Sequence, residues 1–187
     1  MKEIRNALPV DVARLVRQAF VGANYDKIIQ ERRGHFQRNF NESKSSLPDN
    51  DELYTAYFHK SNFLENSDIV NNSYRLYIKP LIEEYVDKQL ESVSFRCYRM
   101  IQGGHFRMHI DDYTADYGFI WYLSEKWKWD WGGLLLTVNE DQSASVAMPE
   151  FNKLVILKHE NGQTAHCVTH IADYALEPRY MLVGFVK

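Results

Sequence analysis

Residues 93–98, Val-Ser-Phe-Arg-Cys-Tyr, place an apolar side chain at every second position. This period is typical of a β-strand with one buried face, because successive side chains of a strand point to opposite sides. Further short apolar segments follow, separated by turn-forming Gly, Pro and Asn residues: 117–123, 133–138, 154–158, 164–171 and 180–186. Many short strands at this spacing predict a β-sandwich or jelly roll and argue against a parallel α/β sheet.

The first half of the chain favours helices. Asp11 is a predicted helix cap, and the apolar residues after it recur at the spacing of one buried helix face: Val12, Leu15, Val16, Ala19 and Phe20. A second helix is predicted to begin at Pro80, which a first helical turn tolerates. Its buried face would consist of Leu81, Ile82, Tyr85, Val86 and Leu90. The polar run 41–51 predicts a loop, and the segment 33–63 is interpreted as a lid, a substrate wall or plain surface.

Length and composition indicate one domain. The chain of 187 residues can bury one core, so we expect a single domain over 1–187, with a helix-rich part at 1–91 and a jelly-roll core at 92–187. The net charge of −3 gives no reason to expect nucleic acid or an acidic membrane as a partner. An apolar signal segment and a membrane span are both absent from the sequence, so we expect a cytoplasmic location. Cys97 and Cys167 predict no disulfide framework.

The motif His109-Ile110-Asp111 is the first sign of chemistry. On a strand, residues i and i+2 project to the same side, so this imidazole and this carboxylate can bind one metal ion together. An iron(II) oxygenase site needs a further imidazole from a distant strand, and it leaves three positions open for co-substrate and oxygen. The downstream candidates are His159, His166 and His170.

Four sequence blocks resemble, in the same order, the prolyl-hydroxylase branch of the 2-oxoglutarate/iron(II) oxygenases. Residues 98–111 (YRMIQGGHFRMHID) resemble the strand and turn that lead to the first two metal ligands. Residues 117–127 (YGFIWYLSEKW) with 131–135 (WGGLL) resemble the family's YLN-x-x-W … GG-x-L block. Residues 151–157 (FNKLVIL) resemble its FNRLVLF strand. Residues 166–171 (HCVTHI) with 179–185 (RYMLVGF) resemble its H-x-V-x-x-V … R-Y-x-L-x-x-W ending.

The resemblance implies an iron site whose three ligands are His109, Asp111 and His166. His170 is the alternative third ligand, because it would project to the same face of its strand as His166. Otherwise His170, like His105 and His159, is predicted to be a satisfied core or surface histidine, and His159 is expected in a turn at the end of its strand.

A co-substrate site is also implied by the resemblance. Arg179 matches the position that binds the distal carboxylate of 2-oxoglutarate, and a guanidinium suits this role because it pairs with a carboxylate through two donors and keeps its charge. Tyr98 and Tyr122 match positions where phenols support the same co-substrate, although each could equally be a core tyrosine. The implied cofactors are Fe(II) and 2-oxoglutarate, with O2 as the oxidant and ascorbate as a supporting reductant.

The implied activity is hydroxylation of an unactivated C–H bond, with a prolyl or other amino-acid side chain of a protein or peptide as the first substrate class. Halogenating relatives have a small residue in place of Asp111, so the carboxylate favours hydroxylation. The alternative substrates are free amino acids or small natural products, and the alternative of another class is a non-catalytic jelly-roll binding module. Ser124, Lys126 and His170 depart from the family pattern, so a prolyl substrate does not follow from the resemblance. The net charge and the lack of an arginine after Arg179 disfavour a nucleic-acid demethylase, and the oligomeric state stays open.

Overall fold

The structure, a computed structural model, describes residues 1–33, 53–109, 111, 115–138, 143–159 and 165–187. The strands in these residues are β1 (Lys2–Ile4), β2 (Asp26–Arg33), β3 (Leu53–Lys60), β4 (Val93–Met100), β5 (His105–His109), β6 (Tyr117–Tyr122), β7 (Leu135–Val138), β8 (Ala144–Ala147), β9 (Lys153–Lys158), β10 (His166–Val168) and β11 (Arg179–Val186). The helices are α1 (Val10–Gly22), α2 (Asn62–Glu65), α3 (Asp68–Ser73) and α4 (Lys79–Val86), with a π-helical turn at Tyr74–Ile78 and a 3-10 turn at Trp129–Trp131. Among these described helices, none is long and apolar enough to span a membrane.

One sheet contains all of these strands. Its order is β1-β9-β6-β11-β4-β3-β5-β10-β7-β8, and β2 pairs with β3 beside this path. The sheet curls around a cavity, because side chains from β4, β5, β6, β7, β10 and β11 line the same space. The predicted fold class, mainly β with flanking helices and a jelly-roll core, is confirmed.

Alternation along the central strands separates two apolar cores. Trp121 on β6 packs in the core beneath the helices, whereas its neighbour Tyr122 packs in the core inside the sheet. Strand β11 alternates in the same way, with Tyr180 on the helix side and Met181 inside. Since Arg179 precedes Met181 by two residues, its side chain also projects into the inside of the sheet.

Helix α1 covers the outer face of the sheet, and most of its predicted buried face packs against the core: Val12, Val16, Ala19 and Phe20. The helix begins directly after Pro9, so Asp11 lies within the first turn and is not the cap. An acidic residue in that turn still interacts favourably with the positive end of the helix dipole. Ala13 and Phe20 are fully buried, whereas Leu15 is 54% exposed. The buried face is therefore rotated toward the small residue Ala13, which lets the helix approach the sheet closely.

The first half also contains three strands that the sequence did not predict, β1, β2 and β3. Strand β3 even lies between β4 and β5 in the centre of the sheet. Charged and apolar residues mix in β2 without a clear period, and Ile29 in this strand is 61% exposed. The strand state of such segments depends on pairing with distant partners, which local pattern does not reveal. The predicted loop at 41–51 and residues 34–52 of the suggested lid lie outside the described residues.

The second predicted helix exists, but it starts earlier than expected. The π-helical turn Tyr74–Ile78 leads directly into α4, so Pro80 lies in the first turn of α4 and does not begin the helical stretch. Ile82 is fully buried as predicted, whereas Tyr85 is 42% exposed. The helix ends before Asp87, whose left-handed backbone stops it.

Two strand predictions in the second half need correction. The strand predicted over 164–171 is shorter than expected, because β10 covers only His166–Val168. Thr164 lies outside the described residues. The backbone N–H of Thr169 still donates to the carbonyl of Leu134. The ladder ends here because the N–H of Leu134 donates to the hydroxyl of Thr169. Strand β8 was not predicted, because its short sequence Ala-Ser-Val-Ala carries little apolar signal.

Candidate metal centre

Strands β5 and β10 bring two distant histidines face to face. The strands pair antiparallel with His109 opposite His166, and the ring centroids lie 4.3 Å apart. Asp111 lies beyond the end of β5, so the prediction that it shares a strand with His109 is wrong. Its carboxylate nevertheless approaches both imidazoles. Ile110 and Asp112 lie outside the described residues.

The three side chains form a compact group of metal-type donors. Nε2 of His109 lies 3.5 Å from Oδ1 of Asp111, and Nε2 of His166 lies 3.3 Å from Oδ2. Within the described residues, this is the group of His, Cys, Asp or Glu side chains that could hold a metal ion, with ligand atoms within 4.8 Å of one another. Two imidazoles and one carboxylate with open positions are the donor set of non-haem iron(II) oxygenases.

The hydrogen bonding of His109 suits a metal ligand. Its Nδ1 donates to the backbone carbonyl of Arg107 at 2.7 Å. Because a carbonyl can only accept, Nδ1 carries a proton, so Nε2 is the ring nitrogen that is left to bind a metal. Metal-binding histidines are commonly oriented by such a bond on the other ring nitrogen. The donor atom that faces Asp111 is therefore the one that can bind a cation, and these residues fit a divalent metal.

Asp111 is held in its charged form by its neighbours. Burial raises the pKa of this carboxyl, but the imidazoles of His166, His109 and His159 together outweigh it, and the pKa lies well below its ordinary value. A carboxylate must be ionised to bind a metal. The electrostatics of the site therefore favour the form of Asp111 that a cation requires.

Arg179, the first residue of β11, is fully buried inside the sheet. Its Nη2 donates to the hydroxyl of Tyr122 at 3.2 Å, and its Nη1 contacts the sulfur atoms of Met100 and Met181. Its Nε has no hydrogen-bond partner, and no carboxylate of the described residues interacts with this guanidinium. Burial lowers the pKa of Arg179, and Tyr122 opposes that effect. A buried cation without an anion is costly, so this position suits an anionic ligand.

The donor group and Arg179 line one cavity of about 100 Å³. Tyr98 also lines it, whereas Tyr122 is not among the lining residues and reaches the cavity only through its bond to Arg179. Burial raises the pKa of Tyr98 to about 12, so its phenol keeps the proton and can donate a hydrogen bond. The remaining walls are apolar: Phe106, Ile120, Leu135, Val168, Met181, Val183 and Phe185. A few polar groups in an apolar concavity are typical of a small-molecule site.

His105 and His170 form a separate pair. Nδ1 of His105 donates to the carbonyl of Gly103 at 2.9 Å, and its Nε2 lies 3.0 Å from the hydroxyl of Thr55. His105 is therefore a satisfied histidine, as predicted. The ring of His170 stacks on that of His105 at 4.0 Å and is exposed. The structure does not bring His170 into the donor group.

His159 differs from its prediction as a satisfied residue. It follows β9 at the strand end, as expected, but its buried Nε2 has no hydrogen-bond partner within the described chain. The same atom lies 3.8 Å from Oδ2 of Asp111. No local pattern marks this contact, because it depends on how β9 pairs with β6. The methionines beside Arg179 were also missed, although Met181 follows it by two residues and so shares its face.

Comparisons with known proteins fit this geometry. The profile of the 2OG-Fe(II) oxygenase superfamily matches residues 93–187. A Pseudomonas putida prolyl-4-hydroxylase is 16% identical with a TM-score of 0.66, over 100% of this chain and 91% of that one. A Trichoplax adhaerens prolyl hydroxylase, in complex with a hypoxia inducible factor peptide fragment, is 15% identical with a TM-score of 0.67, over 99% and 82%. A collagen prolyl hydroxylase of Paramecium Bursaria Chlorella virus-1, in complex with 2OG, is 9% identical with a TM-score of 0.54, over 99% and 94%.

The three structural likenesses concern the fold, because their identities are low. A search among curated proteins gave no match. The matched range 93–187 contains the whole donor group and Arg179. The sequence profile and the cavity thus point to the same part of the chain.

Proposed function

The chain belongs to the 2OG-Fe(II) oxygenase superfamily, as its sequence blocks predicted, and we propose that it hydroxylates an unactivated C–H bond in an amino-acid side chain of a protein or peptide. As a member of this family it is a dioxygenase that uses Fe(II) and 2-oxoglutarate. A prolyl side chain is the first substrate to test. The neighbours named as prolyl hydroxylases, one of them bound to a peptide, support this choice.

In this proposal His109, Asp111 and His166 hold the iron. The bound metal would supply the oxidising chemistry together with 2-oxoglutarate and O2. The support lies in donor atoms within 4.8 Å of one another, in the Nδ1 hydrogen bond that orients His109 and in the lowered pKa of Asp111. A carboxylate at Asp111 also occupies the position that a halide would need, which favours hydroxylation over halogenation.

The observation that carries the proposal is that Arg179 shares one cavity with the donor group. A buried guanidinium needs an anion, and the donor group needs a cation. A keto acid with a second, distal carboxylate matches both, because one end can chelate a metal and the other can pair with the guanidinium. Tyr122 holds Arg179 in place, with its ring centroid 4.9 Å from the guanidinium carbon. Tyr98 would donate its phenolic proton into the same cavity.

Anaerobic titration tests the co-substrate. The chain is loaded with Fe(II) and titrated with 2-oxoglutarate, and the weak visible charge-transfer band between metal and keto acid is recorded. We expect the band in the wild type and its loss in His166→Ala. If the band is absent although iron is bound, the keto-acid mechanism is wrong, and a binding module becomes the better interpretation.

Mass spectrometry then tests the substrate class. Proline-containing peptides and free amino acids are incubated separately with the loaded enzyme, 2-oxoglutarate and O2. We expect peptides to gain one oxygen atom, with succinate formed in equal amount. Oxygen gained only by a free amino acid or another small molecule would contradict the peptide substrate, while the dioxygenase assignment would stand.

A further inference from the structure

His159 lies beside the proposed iron site with an unsatisfied ring nitrogen. Its side chain is 4% exposed, and its backbone N–H donates to the carbonyl of Asp116 at 2.9 Å. Nε2 is buried without a hydrogen-bond partner in the part of the chain that the structure describes. Such atoms are uncommon in folded proteins and call for a specific explanation.

Two neighbours determine where this imidazole sits. Gly118 lies on β6, which pairs with β9, and a Cβ at this position would lie 2.7 Å from Nε2 of His159. The absence of a side chain at Gly118 therefore makes room for the ring. The ring also stacks with Phe185, the cross-strand partner of Gly118, with centroids 6.5 Å apart and planes 27° apart. Gly118 and Phe185 thus fix the position of the imidazole next to the donor group.

The ring nitrogen approaches Asp111 from outside the donor group. Nε2 of His159 lies 3.8 Å from Oδ2 of Asp111, and the same oxygen is 3.3 Å from Nε2 of His166. His159 neither belongs to the three-residue donor group nor lines the cavity. It is therefore placed to contact the carboxylate without being a ligand itself.

A neutral imidazole in this position can donate one hydrogen bond. Its single proton can sit on Nε2. A carboxylate that binds a metal through one oxygen leaves the other free to accept, and bonds of this kind orient metal ligands in proteins.

We propose that His159 is a positioning residue of the iron site, whose Nε2–H donates a hydrogen bond to the Asp111 oxygen that does not bind the metal. The bond holds the carboxylate in one-oxygen coordination and keeps a position open for the co-substrate. The gap of 3.8 Å closes to the ~3 Å of an N–H···O bond by a rotation of the carboxyl group. This inference rests on the proposed function, because it requires a metal at the donor group.

Three variants and one control separate this role from a merely structural one. His159→Phe keeps an aromatic ring and removes the donor, whereas His159→Gln returns an N–H donor without the ring. Gly118→Ala leaves His159 in the sequence, but the new methyl group displaces Nε2. His170→Phe is the matched control, because His170 is exposed and lies outside the donor group.

Metal binding is measured on the full chain without turnover. Each protein is titrated anaerobically with Co(II), whose visible spectrum depends on the number of ligands, and then with Fe(II) and 2-oxoglutarate. We expect His159→Phe and Gly118→Ala to weaken Co(II) binding by about 10–100-fold and to change the spectrum. His159→Gln should recover affinity and spectrum at least in part, and His170→Phe should match the wild type. Thermal unfolding of the metal-free proteins checks that each variant is folded. If His159→Phe does not fold, the Co(II) affinity of Gly118→Ala tests the positioning role instead.

The outcomes distinguish this inference from its premise. Unchanged Co(II) affinity and spectrum in folded His159→Phe would overturn the positioning role and leave the proposed function intact. If His159→Phe loses Co(II) binding completely and His159→Gln does not recover it, the positioning role is also wrong, because His159 would then be a ligand. A wild-type chain that binds neither Co(II) nor Fe(II) would overturn the proposed function and the inference with it.

Discussion

His109 and His166 stand directly opposite each other across strands β5 and β10, with ring centroids 4.3 Å apart. The register of this strand pair, and not a local motif, brings the two imidazoles together. A shift by one residue would turn His166 to the other face of the sheet. The proposed iron site therefore depends on the correct pairing of β5 and β10.

The first prediction concerns the choice between His166 and His170. Replacing His166 by Ala removes an imidazole of the donor group, so we expect Fe(II) affinity to fall by more than the ~10–100-fold that loss of an outer hydrogen-bond partner causes. His170→Ala should leave the affinity unchanged, because that residue is exposed and stacks on His105. Anaerobic equilibrium dialysis measures both. The opposite result, with binding lost only in His170→Ala, would make His170 the third ligand.

The second prediction separates stability from co-substrate binding at Arg179. Met at this position fills a similar volume without a charge, and an isolated buried charge is costly. We therefore expect Arg179→Met to keep the free energy of unfolding or raise it by about 1 kcal/mol. The same variant should lose the charge-transfer band with 2-oxoglutarate and the thermal stabilisation that the co-substrate gives.

Arg179→Lys is the control for charge alone. It keeps a cation but loses the planar pair of donors, so 2-oxoglutarate should bind more weakly than in the wild type and more tightly than in Arg179→Met. Wild-type affinity in Arg179→Met would show that the distal carboxylate is held elsewhere.

The parts of the fold that could be predicted are those with a local signal. The alternation in 93–98 matched β4, because a strand with one buried face carries its period in the sequence. The later apolar segments matched β6, β7, β9 and β11, because strands buried on both faces are apolar at most positions. Strands β1 and β2 carry no such period. Their state depends on pairing with β9 and β3, which only the complete fold supplies.

The candidate site was also predictable only where the sequence carries a local signal. Four blocks of resemblance named the donor group and Arg179, and the structure brings them to one cavity. The contact between His159 and Asp111 could not be predicted, because the ring of His159 fits only where Gly118, on a neighbouring strand, has no side chain. Contacts across strands follow from register, and register is a property of the whole sheet.

The third prediction concerns Asn152, which joins the N-terminal segment to the sheet. Its Oδ1 accepts from the backbone N–H of Leu8 at 3.0 Å and from Nε1 of Trp121 at 3.2 Å, and its Nδ2 donates to the carbonyl of Leu8 at 2.7 Å. Its backbone is left-handed, with φ of 59°, which Ala adopts less readily than Asn. We expect Asn152→Ala to lower the free energy of unfolding by roughly 3–4 kcal/mol, because it leaves buried groups unpaired.

Urea unfolding of the metal-free chain measures this loss. Asn66→Ala is the control, because the side chain of Asn66 donates to an exposed carbonyl, that of Asn62, and such changes stay within ~0.5 kcal/mol. A loss in Asn152→Ala no larger than that of the control would mean that the hydrogen bonds of the Asn152 side chain contribute little to stability.

The last prediction concerns the pH dependence of stability and His59 on β3. This residue is 7% exposed, and burial, with the nearby charge of Arg99, lowers the pKa of its imidazole from the ordinary 6.5. Below 6.5 the unfolded chain binds a proton that the folded chain does not. The free energy of unfolding therefore falls as the pH drops from the ordinary pKa to the lowered one, and this contribution is fully present above the ordinary pKa.

Replacing His59 by Phe removes this titration and keeps a ring beside Tyr57, whose centroid lies 5.4 Å from that of His59. We expect the free energy of unfolding of His59→Phe to fall less than that of the wild type between about pH 7 and about pH 5. Urea unfolding at several pH values on metal-free protein measures the difference. The other histidines and the carboxylates titrate in both proteins, so the difference between the two curves isolates His59. Parallel curves would show that the imidazole of His59 accepts a proton in the folded chain as readily as in the unfolded one.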